Sequence, residues 1–313
     1  MKELLKCVLC PRMCSADRLA GELGRCRAGA QVKVFRWGPH LGEEPPLSGV
    51  NGSGAVFFSH CPLGCLYCQN HPWSAGGAGD VVGVEGLASI FVELAEAKCH
   101  NWNLVTPEPW LPQIREAAAL ARARGASLPF VYNTSGYVRT EVAEAHRDLM
   151  DVVLTDLRYA TPEAAREGSS APDYPERAQA FLRWAWDRVG PLRLNGEGIA
   201  TSGVVVRILV LPGRESEAVA SLEWMAGAIG TDVHISVMSQ YTPVHAARER
   251  DGWNRTVTDA EYARVTDAAE RLGFENGWIQ EFGACAPDDG LLGCEMRPGA
   301  GVAGAGRCAE ARF

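Results

Sequence analysis

The sequence predicts an α/β protein, a partial barrel of the TIM type with about six β/α units, flanked by a small cysteine-rich extension and a glycine-rich tail. Three observations carry this reading. Short apolar runs alternate with amphipathic stretches through residues 51–283. One run, VVVRILVL, is almost unbroken, as in a parallel strand covered on both faces. Polar residues also gather where the runs end, in LVTPEPW, VYNTSGY, VLTDLRYA and ISVMSQYTP, at the edge where such folds carry their sites.

Residues 1–50 are expected to be a separate extension. It holds Cys7, Cys10, Cys14 and Cys26 at C-x2-C-x3-C-x11-C. Four such thiols suit zinc or a second iron–sulfur cluster, which spacing does not separate, or they are reduced structural thiols. HLGEEPPLSG, with Pro45 and Pro46, reads as a stiff connector. Ala55–Phe58 is the first strand. SAGGAGD, at 74–80, lacks the Lys-Ser/Thr ending of a phosphate loop and reads as a linker. Helix is then expected at Val84–Ala97, strand at Asn103–Thr106, and helix at Leu111–Arg124 before Gly125. Phe130–Tyr132 and Asp151–Leu154 are the next strands, with helices at Arg139–Leu149 and Tyr174–Val189. Val204–Leu211 and Val233–Met238 complete the six, separated by a helix at Glu215–Ile229. Thr258 caps a last helix ending at Gly273, and Trp278–Glu281 adds a short strand. Residues 284–313 form the tail.

Just past the first strand stand Cys61, Cys65 and Cys68, at C-x3-C-x2-C. Three thiolates this close can take three corners of an iron–sulfur cube and leave the fourth iron open. A zinc knuckle or plain thiols are the alternatives, but zinc sites usually want a fourth ligand and none lies close by. A four-cysteine cluster passes electrons only, whereas one with an open iron can bind a small molecule.

The composition excludes several classes. The net charge of −8, from 30 basic and 38 acidic residues, includes no long basic block, which argues against nucleic acid as a partner. MKELLKCVLCPR lacks the apolar core of a signal peptide, and no stretch reaches transmembrane length, so a cytoplasmic protein with no membrane partner is expected. Eleven cysteines at short spacings point to metal binding rather than disulfides. Cys99, before the second strand, reads as a packed thiol.

The C-x3-C-x2-C spacing with Tyr67 before its last cysteine resembles the signature of the radical S-adenosylmethionine (SAM) enzymes. CLYCQN is similar to a segment of pyruvate formate-lyase activating enzyme and other glycyl-radical activases. CVLCPRMC, GEEPPLSG, NLVTP, YNTSGY, DLRYA, DYPE, VRILVLPG, ISVMSQY and GWIQE resemble a branch of that group, in order from Cys7 to Glu281. The resemblance implies a [4Fe-4S] cluster on Cys61, Cys65 and Cys68, SAM on its open iron, and a one-electron donor such as flavodoxin or ferredoxin. It places Thr106 and Pro107 at the methionyl amino group, and Asn133, Ser135 and Asp156 along the methionyl and ribose side. Arg158 stands in for a lysine near the carboxylate. Gln240 and Tyr241 fall near adenosine, and Tyr67 packs near adenine.

Departures at Glu108-Pro109-Trp110, around VRILVLPG, and at His60 and Gly64 suggest a specialised substrate. Two functions follow from the resemblance, and a third competes with it, against the open-iron spacing. The first is radical epimerisation of a small-molecule substrate, a sugar or oligosaccharide, as in the radical SAM epimerases of antibiotic assembly that tailor avilamycin-type oligosaccharides. Cys285 is its candidate thiol hydrogen donor. The second is an activase installing a glycyl radical on a partner enzyme. The third is a non-catalytic iron–sulfur carrier.

Overall fold

The computed structural model describes residues 2–283 and 310–312. In chain order the elements are β1 (Lys33–His40), α1 (Pro45–Ser48), β2 (Ser53–Phe58), α2 (His71–Ser74), β3 (Asp80–Val81) and α3 (Gly83–Glu96). There follow β4 (Trp102–Val105), α4 (Leu111–Ala123), β5 (Phe130–Thr134), α5 (Thr140–Ala145), β6 (Val152–Asp156), α6 (Pro162–Ser169) and α7 (Tyr174–Val189). The remainder comprises β7 (Arg193–Leu194), β8 (Ala200–Leu209), α8 (Glu215–Ala228), β9 (His234–Met238), α9 (Asp259–Leu272), β10 (Gly277–Gln280) and β11 (Glu310–Arg312).

Local chemistry sets many of these boundaries. Proline in the first turn opens α1, α2, α4, α6 and α7, where its missing N–H costs nothing. Thr258 and Glu261 close a reciprocal capping box on α9, and Gly273, at φ 86°, ends that helix in the left-handed region. The helix expected over 139–149 is shorter. His146 turns out of helical geometry at φ −119°, its ring bonded to the Val142 carbonyl, and a single tight turn follows at Arg147–Leu149.

Seven strands, β2, β4, β5, β6, β8, β9 and β10, run parallel and neighbour one another in that order. An order without reversal winds the chain one way, and α3, α4, α7, α8 and α9 share a core with one sheet face, around Phe91, Trp102, Phe130, Phe181 and Leu222. The expected strands are all present. β1, inside the 1–50 extension, pairs antiparallel with β2, and β3 pairs with β1. β7 adds to β8 and β11 to β10. The strand order ends at β3 on one side and β11 on the other, so among the described residues the sheet is open and does not close into a barrel.

The other sheet face is lined differently. Leu47 of α1 packs there against Val131, Val152, Leu154 and Val205, filling the base of that face. Because the seven strands are parallel, their C-terminal ends share one edge. The loops leaving that edge carry the residues singled out from the sequence.

Candidate functional site

β2 is buried along its whole length, and the chain leaves it through His60, at φ 71°. The thiol loop that follows is held by backbone bonds. The His60 amide donates to the Trp73 carbonyl, Leu66 to Gly168, Cys68 to Cys65 and His71 to Cys68. Gly64, at φ 77° with nothing near a would-be Cβ, supplies the left-handed turn between the first two cysteines.

The three sulfurs have distinct surroundings. Cys65 Sγ accepts from Arg158 Nη1 at 3.4 Å and from Ser169 Oγ at 3.2 Å. Cys68 Sγ lies 3.1 Å from Ser74 Oγ. Burial pushes the Cys61 thiol well up, and the charges of Cys65 and Cys68 add to it. Burial and Cys65 push Cys68 up to about 11. Their surroundings favour the protonated form of Cys61 and Cys68, whereas a bound cation would reverse that preference.

Among the described residues no three His, Cys, Asp or Glu side chains converge on a single metal-ion position. A tetrahedral ion would hold its sulfurs about 3.8 Å apart. A cluster gives each thiolate its own iron and asks for wider spacing than a single ion does.

The strand-end residues surround this loop. Arg158 donates through Nε to Asp156 Oδ2 at 2.9 Å while it reaches Cys65, so that one guanidinium joins the thiol loop to the end of β6. Thr106, in the left-handed region at φ 62°, donates its amide to the Asn133 carbonyl. Pro107 is buried behind it, while Asn133 and Ser135 are half-buried. Gln69, just after Cys68, donates to the Gln240 carbonyl, and Gln280 donates to Gln240 Oε1. Tyr67 and Tyr241 form an aromatic group beside these, Tyr67 meeting Arg158 through its hydroxyl. Tyr67 is buried, stacked on Trp253 at 5.3 Å and bonded to the Tyr159 hydroxyl, with Tyr241 tilted beside it and bonded to the Trp253 carbonyl. Cys285 lies outside the described residues.

The second cysteine group sits beside the first. Burial raises Cys10, and the charges of Cys26, Cys7 and Cys14 add to it. The Arg25 amide donates to Cys14 Sγ at 3.2 Å. The extension docks against the site loops through arginines. Arg12 donates to the carbonyls of Pro62, Leu63, Ser169 and Ser170, and buried Arg18 donates to those of Gly29 and Pro109 over the Trp110 ring. Arg139 donates to the Val8 carbonyl.

Two burials at the site were not read from the sequence. The stretch taken as a stiff connector places Glu43 and Glu44, both buried, against Arg207 of β8. Arg207 Nε and Nη2 each lie 2.7 Å from Glu44, and Nη2 also pairs with Glu43. Glu43 further accepts from Asn103 at 2.8 Å and Asn133 at 3.4 Å. An arginine inside VVVRILVL was the signal, since a charge in a covered strand needs a buried partner. The other is the burial of Glu108, with Oε1 bonded to the Thr134 hydroxyl and Oε2 without a partner among the described residues.

These features define a class by architecture: an α/β chain whose open parallel sheet carries a three-cysteine loop at its C-terminal edge. No protein-family model matches the chain. It is 23% identical over 275 residues to an uncharacterized protein of Methanocaldococcus jannaschii, MJ0674, across 86% of this chain and 75% of that one. The solved structure of native anSMEcpe with bound AdoMet superposes at a TM-score of 0.45 and 11% identity, covering 69% of this chain. The chain spans 59% of that protein's length. Among the described residues, no helix is long and apolar enough to cross a membrane.

Proposed function

We propose that this chain is a radical SAM enzyme whose Cys61, Cys65 and Cys68 hold a [4Fe-4S] cluster with one iron open to SAM, on a sheet curved as a partial barrel. The observation that carries the reading is the C-x3-C-x2-C loop at the shared C-terminal edge of the parallel strands, with Arg158 bonded to Cys65 and Asp156. A cluster held by these three cysteines would supply one electron for cleavage of SAM to methionine and a 5′-deoxyadenosyl group that would take hydrogen from a substrate C–H bond.

The chain's own residues bind and shield. Arg158 supplies a fixed positive charge for a carboxylate beside the thiol loop, and Asp156 supplies an acceptor for ribose hydroxyls. The left-handed backbone at Thr106 turns the chain toward Asn133 where an ammonium group needs acceptors. The Tyr67–Trp253–Tyr241 stack walls one side of the loop against water.

The substrate reading is epimerisation of a sugar or similar natural-product centre, with a thiol returning the hydrogen. Charges at the strand ends are matched among themselves, Arg158 by Asp156 and Arg207 by Glu43 and Glu44. With two cations against three carboxylates, the strand ends suit an uncharged polyol better than a polyanion. Anaerobically reconstituted, chemically reduced protein should convert SAM to 5′-deoxyadenosine, and Cys65→Ala should fall to the enzyme-free background. Undiminished cleavage by that variant would overturn the reading. Turnover of the correct sugar in deuterium oxide should leave one deuterium at the inverted carbon, whereas label on a glycine of a partner protein would favour an activase.

A further inference from the structure

The chain's charge is segregated. Residues 1–36 hold eight Lys and Arg against three Asp and Glu, leaving 22 against 35 for the rest of the chain. Much of this excess is outward-facing: Lys2, Lys6, Arg25 and Arg27 are exposed, as are the apolar Leu5, Met13, Leu19 and Leu23. Part of it converges on the site. A cleft of about 360 Å³ opens between the extension and the end of β2, lined by Arg18, Leu19, Lys33, His60 and Trp110 among others. Arg18, Arg27 and Lys33 all act electrostatically on His60, and the His60 ring meets the backbone of Cys26. His60 immediately precedes Cys61 in the chain. A basic, partly apolar surface therefore lies one residue from the thiol loop.

We propose that this basic face of the extension, centred on the cleft at His60 and including the exposed Arg25 and Arg27 of the same loop, is the docking surface for a small acidic one-electron carrier protein. Charge complementarity selects the partner. A carrier with a negative face meets a strongly positive stretch of an otherwise acidic chain, and exposed Leu19 gives the cleft an apolar contact. The proposal rests on the radical SAM reading, which requires an electron at Cys61, Cys65 and Cys68. One electron leaves the reduced carrier, which is oxidised by one unit, and arrives at the iron–sulfur group, which is reduced by one; no bond is made or broken.

The test uses oxidised flavodoxin of acidic net charge as probe, titrated into the full-length protein at low and high salt. Wild type should bind at low salt and weaken steeply as salt rises. The double variant Arg25→Glu/Arg27→Glu should bind about tenfold or more weakly, whereas Arg271→Glu on exposed α9 should match wild type. The double variant should also retain 5′-deoxyadenosine formation with dithionite and lose it with reduced flavodoxin. No binding by wild type, or equal binding by the double variant, would overturn the docking surface. Charge-dependent binding with no cleavage under dithionite would leave the surface standing and overturn the radical SAM reading instead.

Discussion

Glu108 shows how much one buried side chain can decide. It lies on the turn after β4, fully buried, bonded to the Thr134 hydroxyl, with its other oxygen unpartnered among the described residues. Burial pushes its carboxyl up to about 7, against the pull of the Thr134 bond, and Asp156 adds to the rise. The folded chain therefore keeps this proton where the unfolded chain has lost it. Glu108 stabilises the fold below the ordinary glutamate range, and that contribution is lost as pH rises to about 7. Wild type should lose about 3 kcal/mol more than Glu108→Gln between about pH 5 and about pH 8. Urea denaturation at the two pH values measures this; equal losses would show that Glu108 is ionised throughout. The sequence marked Glu108 as a departure from relatives but gave no sign of its burial, because that depends on Thr134 reaching it from the end of β5.

At the scale of elements, the ion-paired group of Glu43, Glu44 and Arg207 ties the segment before α1 to β8 and, through Asn103 and Asn133, to β4 and β5. Desolvation opposes the Glu43 charge, but Arg207 and His40 outweigh it and hold the carboxyl below its ordinary range. Arg207→Met should leave two buried carboxylates without their cation and destabilise the fold by about 3–5 kcal/mol. Denaturant titration tests this, and a loss under about 1 kcal/mol would mean the pair is solvated. The parallel strands and most helices were legible because each carries its own apolar period and stop signals, as Thr258 and Gly273 do for α9. β1 was missed because KVFRWGPH pairs antiparallel on β2 while carrying Arg36 and His40 within it, a pattern that resembles a loop. The Glu-Glu pair was misread as a connector because proline-rich composition describes stiffness and not what a segment packs against.

At the scale of the whole molecule, an open seven-stranded parallel sheet gathers loops distant in sequence to one edge, and the extension docks there through Arg12, Arg18 and Arg139. The two cysteine groups, far apart as spacings go, thus become neighbours across His60. The thiol loop itself was legible in full, since three ligands within eight residues need no tertiary fold to be recognised. The residues around it were less so: Arg158 meets both Asp156 and Cys65 only because β2 and β6 end at the same edge. The central claim is that Cys61, Cys65 and Cys68 leave one iron free to take SAM. Electron paramagnetic resonance of the reconstituted, reduced protein tests it most directly. A variant lacking the cysteines at 7, 10, 14 and 26 should still give a reduced [4Fe-4S] signal that shifts when SAM is added. A signal that SAM leaves unchanged, or none at all in a folded variant, would contradict it.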